Sequence, residues 1–481
     1  MREDIKKTKL EKLENIKKAG METYPEKSER TMTNAEALDK FDEIKDEIIL
    51  VGRVKSSRPM GNACFSHIED GTGKIQLFLN KKGLGDEKYK LFVKNIEIGD
   101  FVEARGRLFK TKQDEKTLEV ADWKILSKNM RPIPTEYFGL KDEEELLRKR
   151  YLDLMMNPET REIFKKKNIF WQTVRKLLIE EGFLEVQMPV LESTPGGAEA
   201  EPFITHHNAL DRDFYLRISL ELALKRLLVG GYEKVFEIGR VFRNEGIDRY
   251  HLQEYDMLEF YAAYWDMKKG MDFSENFYKK IIFEMLGSYK HEYESNEIDW
   301  SKKFSVVDYF TEFKKETGID LEKDITVDEL KKKADELGIK YEKEYGIGRM
   351  IDTIYKKTVR TKLIQPCFLV GHPLAVSPLA KVDPQNPKKV LRFQIMAGTA
   401  ELCNAFSELN DPIDQKNRFE EQMKAKKAGD KEAMMMDEDF VEALEYGMPP
   451  AFGFGMSERF FAFLLNKSVR ETIIFPPMKE K

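Results

Sequence analysis

From Ile48 to about Leu126 apolar and polar residues alternate in short runs, "IILVGRVKSSR", "CFSHIEDGTGKIQLFL", "DFVEARGRLFK" and "LEVADWKIL", cut by Gly and Asp turns. Period-two runs at this spacing predict half-buried strands, and about five of them suit a small Greek-key barrel of the OB type. We assign this domain to residues 48–130. Ahead of it, residues 1–47 are mostly Lys and Glu, with only Leu10, Leu13 and Ile16 at helical spacing, which predicts a solvated helical extension and a tether. Behind it, "RPIPTEYFGLKDEEELLRKRYLDL" (131–154) sets two prolines before a charge-rich helix and reads as a linker.

The rest of the chain, 155–481, changes period. "PETREIFKKKNIFWQTVRKLLIEEGF" puts Ile163, Phe170, Val174, Leu177 and Leu178 on one helical face and closes at Gly182. Strands and helices then mix without a regular β-α alternation, and no glycine-rich phosphate loop precedes a helix. That pattern predicts an α+β domain on an antiparallel sheet, making the whole a multi-domain chain. Lys-rich and Glu-rich runs such as "TVDELKKKADELGIK" predict a helical insertion at about 270–365.

Composition narrows the partners. Among 481 residues, 81 basic side chains face 86 acidic ones, so contact with a nucleic acid must use local patches rather than a global positive field. Cys64, Cys367 and Cys403 lack metal-ligand spacing, and no apolar run approaches the roughly 18 residues a membrane span needs. The N-terminus lacks the apolar core of a signal peptide, which leads us to expect a reduced, cytoplasmic setting and no membrane.

Strand parity exposes the chemistry. In "YDMLEFYAAYW" alternation gives Met257, Glu259, Tyr261 and Ala263 one face and Leu258, Phe260 and Ala262 the other. Asn404, Phe406 and Glu408 share a face of "AELCNAFSELND", and Glu221 opens the apolar helix of "YLRISLELALKRLLVGG". Taken singly, each acid reads as well as a solvent-facing residue or half of an internal ion pair. Together, carboxylates among apolar residues call for cations that those neighbours cannot supply. Beside them "FEIGRVFRNEG" (236–246) is an apolar strand ending on Arg243, a permanent planar fork for carboxylate or phosphate oxygens. "NEGIDRYHLQEYD" has the length to return antiparallel into the strand of Glu259.

"FEIGRVFRNEG", followed by His251, Tyr255 and "LEFYAAY", resembles motif 2 of the class II aminoacyl-tRNA synthetases. "GFLEVQMPVL" with Pro189 resembles motif 1, and "GFGMSERFFAFLL" with Arg459 resembles motif 3. Within that class "TPGGAEAEPFITHHNALDRDFYLRIS", "ELALKRLLVGG", "AVSPLAK", "NAFSELNDPIDQKNRFEEQ" and "IIFPPMK" are most similar to the lysyl-tRNA synthetases, and the likeness covers nearly the whole chain. The resemblance implies ATP-dependent activation of L-lysine to lysyl-adenylate and transfer to the 3′ end of tRNA(Lys), releasing AMP and pyrophosphate. It implies that Arg243 bridges the lysine carboxylate and the α-phosphate. Glu245 and Tyr255 would hold adenine, and His251 and Arg459 the outer phosphates, with Arg243 and Arg459 as the catalytic pair. Glu221 and the backbone at Gly197 would take the α-amine, Glu408 and Tyr261 the side-chain amine, while Glu259, Asn404 and Phe406 line the pocket. Glu401 matches a Mg²⁺ ligand at the ATP site. Gln394 stands where the family has a second metal carboxylate.

In the barrel, Arg58, Phe65 and Gln76 match anticodon contacts, although Phe65 read alone fits barrel core equally well. Motif 1 implies a homodimer. Motif 3 is one residue shorter than usual, and Tyr250 beside Arg249 replaces an arginine. Strict alternation sets Glu401 on the opposite face from Glu408, so a bulge or bend is required there. Three alternatives stay open: an aspartyl- or asparaginyl-tRNA synthetase, which would want a basic residue at Glu408; a non-catalytic RNA-binding protein; and an enzyme that lysylates a protein, which usually lacks the barrel.

Overall fold

Alternating strands close on themselves in the first half of the chain. In a computed structural model, β1 (Ile48–Met60), β2 (Ala63–Glu69), β3 (Lys74–Asn80), β4 (Phe101–Lys110) and β5 (Lys116–Ser127) form a closed barrel in the order β1-β2-β3-β5-β4. The structure describes residues 2–134, 142–246, 248, 251–427, 429 and 433–479; Arg249 and Tyr250 lie outside them. Only β3 and β5 pair in parallel. Leu50, Val54, Ile68, Leu77, Val102 and Val120 fill the interior.

The N-terminal helix α1 (Arg2–Lys18) differs from the solvated extension expected. Ile16 is buried with the barrel core, Leu13 is buried too, and Lys12 Nζ lies 2.7 Å from Glu97 Oε1. A stripe this short reads as a surface helix in the sequence, yet two aliphatic anchors and an ion pair dock it.

The chain divides into two units, Met1–Lys141 and Asp142–Lys481. Within the second, nine strands among the described residues build one sheet. They are β6 (Leu184–Glu185), β7 (Lys234–Phe242), β8 (Glu254–Ala263), β9 (Ser305–Asp308), β10 (Cys367–Val370), β11 (Arg392–Ala397), β12 (Ala400–Glu401), β13 (Asn404–Ser407) and β14 (Ala451–Ser457). The order is β9-β10-β11-β13-β14-β8-β7-β6, with β12 beside β11. Its centre is antiparallel as the sequence predicts; the two edge pairs, β7 with β6 and β9 with β10, are parallel.

Parity sorts the two faces. Phe236, Leu258, Phe260, Phe393, Ile395 and Phe454 pack on one side against α2 (Pro158–Glu180) and α4 (Met267–Leu286). Val235, Val241, Tyr261 and Phe406 point to the other, beneath α3 (Glu221–Val229). The second face carries the polar groups.

Two boundaries read from the sequence shift. Residues expected as linker form helices Glu143–Arg148 and Arg150–Met156 inside the second unit. Arg150, 4% exposed, is paired with Asp153 and donates to the carbonyls of Arg470, Glu471, Ile473 and Ile474, so its charge serves a buried clasp rather than solvent. The expected helical insertion contains a hairpin, Lys290–Tyr293 with Asn296–Asp299, and the sheet strand β9. Its first helix, α4, sends Phe277, Tyr278, Ile281 and Ile282 into the main core. Surface Lys and Glu set the visible pattern there and mask the strands between helices.

Candidate functional site

The polar face sets two carboxylates, Glu221 and Glu408, against one ammonium, with a third acid, Glu259, on β8. Lys225, one turn along α3 from Glu221, is wholly buried, with Nζ 2.5 Å from Glu221 Oε1 and also in ion-pair contact with Glu408 Oε2. The rings of Phe406 and Phe440 lie 5.3 and 5.9 Å from that Nζ. The chain thus supplies one of the cations that these carboxylates call for. Burial alone would depress the Lys225 pKa, but Glu221 and Glu408 overcome it and raise it. Glu408 is driven up by burial, against the pull of Lys225. Both of its oxygens are buried without a hydrogen-bond donor among the described residues, so the Lys225 ion pair at Oε2 is the contact that balances its charge.

Glu259 is satisfied differently. It accepts from Ser219 Oγ at 2.7 Å, the Leu220 amide at 3.0 Å and Tyr261 Oη at 2.9 Å. Burial, then the neighbouring Glu221 charge, pushes its pKa up to about 7. Read from sequence as pocket lining, it also fixes the turn into α3 and the Tyr261 hydroxyl. Directly across the β7-β8 ladder stands Glu237, whose buried carboxylate meets Arg217 at 2.8 Å and the Met188 amide at 2.9 Å. Two like charges opposite each other are tolerated because each has its own donors.

Glycines leave room beside these groups. On β14, Gly453 faces Tyr261 and Phe406, and Gly455 faces Glu259 and Asn404. A Cβ at 453 would overlap the Glu408 carboxylate and approach the Tyr261 ring to 2.5 Å. Gly197 takes φ +82°, and a Cβ there would sit 2.9 Å from both Ser219 Oγ and Glu221 Cβ. The glycine loop is therefore seated against the start of α3, beside Glu221. Asn404 accepts from Arg392 Nε at 2.7 Å.

Arg243 leaves the end of β7 on this same face, its amide donating to the Gln253 carbonyl at 2.8 Å as the chain returns into β8. Its Nε donates to the Ile218 carbonyl, and its guanidinium carbon lies 5.6 Å from the half-buried Tyr255 ring. Burial raises the Tyr255 phenol, opposed by the fields of Arg243 and Arg459. Glu245 is half-buried, with its carbonyl taking a bond from Gln253 Nε2. His251 is exposed and its Nδ1 lies 2.8 Å from Asp248 Oδ2. Arg459 begins α5 (Arg459–Leu464), directly after the buried Glu458. Lys167 of α2 holds Glu458 in an ion pair, and burial still pushes this acid up to about 6.

The break demanded between Glu401 and Glu408 is present. Met396 pairs with Glu401, but Phe393 pairs with Ala405, so the register slips by one residue. Leu402 and Cys403 both pack into the Phe393 side, and the Ile395 amide meets Cys403 Sγ at 3.3 Å. This bulge returns Glu401 to the face of Asn404 and Glu408. Gln394 lies on that face as well, its Oε1 3.1 Å from His372 Nε2. His372 is depressed to about 3 by burial, then by Arg392, and is neutral. Gln394 is thus engaged and uncharged, which leaves Glu401 as the carboxylate there. Among the described residues no three His, Cys, Asp or Glu side chains cluster as a metal site.

In the barrel, Cys64, Ser66 and Ile68 point inward and Phe65 outward. Phe65 stacks toward Phe78 at 5.0 Å and lies across from Arg58, so it belongs to the outer face rather than the core. Gln76 is bound: Nε2 donates to Glu115 Oε2 at 2.7 Å, and Oε1 accepts from Thr117. Glu115 Oε1 also meets His67 Nε2 at 2.9 Å. His67 and Glu115 escaped the sequence reading because the turn before β5 hides their proximity. Lys225, by contrast, stood four residues from Glu221 in plain view.

Among the described residues no helix is long and apolar enough to cross a membrane. Residues 142–479 match the family described as tRNA synthetases class II (D, K and N), and residues 48–126 match the OB-fold nucleic acid binding domain. The chain is 43% identical to the lysine–tRNA ligase of Halalkalibacterium halodurans, over 99% of this chain and 97% of that one. It is 44% identical to that of Pelotomaculum thermopropionicum, over 99% and 95%, and 40% identical to that of Bacillus subtilis, over 99% and 98%.

Proposed function

The chain belongs to the class II tRNA synthetases (D, K and N), and from that premise we propose that it joins L-lysine to tRNA(Lys) at the expense of ATP. The observation that carries the choice of amino acid is the excess of buried acid. Glu221 and Glu408 share one resident ammonium, Glu259 is held by neutral donors, and that excess of acid suits a guest with two ammonium groups and one carboxylate.

Activation joins two anions, so positioning and electrostatics supply most of the catalysis. Arg243 neutralises the lysine carboxylate and the α-phosphate together while a carboxylate oxygen attacks the α-phosphorus in line with the P–O bond that breaks to release pyrophosphate. Tyr255 and Glu245 hold the adenine, and Arg459 and His251 hold the outer phosphates. Glu221 and the Gly197 loop receive the α-ammonium; Glu408 and Tyr261 receive the side-chain ammonium, with Asn404 and Phe406 closing the pocket. Mg²⁺ would rest on Glu401 and phosphate oxygens, offsetting phosphate charge, since one carboxylate plus phosphates is an ordinary Mg²⁺ environment. Gln394 is no ligand in this scheme.

The outer barrel face, with Phe65 to stack, Arg58 for the backbone and Gln76 with Glu115 for base edges, suits unpaired anticodon bases. Leu184, Val190 and Leu191 lie exposed along the motif 1 stretch, an apolar strip suited to a second copy of the chain. We take the working compartment to be the cytoplasm, where Cys64, Cys367 and Cys403 remain free thiols. Lys225 is the one observation toward an acidic substrate, but Glu221 and Glu408 already claim its charge.

Amino-acid-dependent ATP–pyrophosphate exchange tests the reading. Exchange with lysine is expected; exchange with aspartate or asparagine instead, or none, overturns it.

A further inference from the structure

Lys225 has no assigned part in the scheme above, yet it is the most deeply placed charge of the site. Its ammonium spans Glu221 Oε1 and Glu408 Oε2, from a helix to a strand across the sheet face, and its side chain is 0% exposed. A buried ion pair of this kind gives little net stability compared with apolar packing, so stability alone does not account for it. What the contact does is geometric. Among the described residues neither Glu408 oxygen receives a hydrogen bond; Oε2 takes the Lys225 ion pair, and Oε1 lies in the space that the missing Cβ of Gly453 keeps clear. An orphaned carboxylate oxygen is costly unless a donor arrives.

We propose that Lys225 is a specificity-positioning residue: it holds Glu408 by one oxygen and turns the other toward the side-chain ammonium of the amino-acid substrate. The inference rests on the lysine reading. The charged groups facing Glu408 are Lys225 and Glu221 on α3 and Glu259 on β8, with the Tyr261 phenol also beside it; Arg392 acts on Glu221. Among the described residues Lys225 is thus the cation that favours the ionised, oriented form. Removing it leaves three acids crowded together, and burial then favours a protonated Glu408 that cannot attract an ammonium over a neutral group.

The test compares lysine with 6-hydroxynorleucine, whose hydroxyl replaces the side-chain ammonium, in ATP–pyrophosphate exchange by wild type, Lys225→Met and Lys225→Gln. Wild type must first exchange with lysine; its failure to do so counts against the function rather than against Lys225. For either variant that folds, kcat/KM for lysine over the analogue should fall about tenfold or more, with KM for ATP within about twofold of wild type. The lysine KM of the variant should improve as pH rises and Glu408 ionises. An unchanged preference, with both substrates weakened equally, means that Lys225 only packs, and overturns the proposal. Should neither variant fold, the wild type decides: lysine must raise the melting temperature well above the shift given by the analogue, and equal shifts overturn it.

Discussion

Glu408 lies 1% exposed with its charge balanced by Lys225 at Oε2, while among the described residues Oε1 has no cation beside it and no hydrogen-bond donor. Truncating one partner of a buried charge pair typically costs about 2–5 kcal/mol in binding, so Glu408→Gln should raise the lysine KM by roughly 30-fold or more while leaving the ATP KM within about twofold. An unaltered lysine KM in steady-state exchange would refute the assigned contact. Part of this arrangement was legible in the sequence. Glu221 and Lys225 stand at i and i+4 of one helix, a spacing that pairs charges, whereas the link from Lys225 to Glu408 joins that helix to the end of β13, far away in the chain. Parity alone found Glu259, but it did not reveal Ser219 and the Leu220 amide, which arrive from a turn with no periodic signature.

At the scale of elements, β14 is the floor of the pocket because alternate positions carry no side chain. Gly453→Ala would drive a methyl into Glu408 and Tyr261, so we expect the lysine KM to rise at least about tenfold with ATP binding kept; calorimetric titration with lysine checks it. On the barrel the outward aromatic belongs to β2. Phe65→Ala should lower kcat/KM for tRNA charging by about tenfold and leave lysine-dependent exchange intact, since one stacked base contributes about 1–3 kcal/mol; equal loss of both would exclude an anticodon role. The sheet strands were readable because their apolar faces alternate. The bulge at Leu402–Cys403 was required by logic but invisible in pattern: both residues are apolar, and only the pairing partners reveal which face they take. The hairpin and strand inside the supposed helical insertion were hidden by lysines and glutamates that describe the solvent side of its helices.

For the molecule as a whole, buried acids are shifted in both directions. Burial raises Glu192 to about 8, Glu259 to about 7 and Glu458 to about 6 in the second unit. The folded form holds protons that unfolded carboxylates release near 4.5, so the stability from these groups is full below that pH and is lost as pH rises through 6 to 8. In the first unit burial pushes Glu97 up, but Lys12 and Lys128 prevail and lower it to about 2, so its contribution is present above 4.5 and fades as pH falls toward 2. Buried His372 and His291, lowered to about 3 and about 4, gain stability as pH rises toward 6.5, so the decline shows above that point. The melting temperature of the second unit should fall by several degrees between pH 6.5 and 8, on a scale where about 1 kcal/mol moves a large domain by about 2–4 °C; calorimetry showing a rise would contradict it. The apolar strip at Leu184, Val190 and Leu191 belongs to this scale too. Sedimentation equilibrium should give twice the chain mass, and a charge placed at Leu191 should shift the balance to single chains.

Arg150 draws one more consequence from the fold. Its guanidinium is quenched by carbonyls some 320 positions later, at Arg470, Glu471, Ile473 and Ile474. While the ribosome is still reading the message between them, Asp153 is the partner within reach, and the carbonyl clasp stays open. A molecule proposed to supply translation with its aminoacyl groups thus closes its own catalytic half only after Ile474 has been translated.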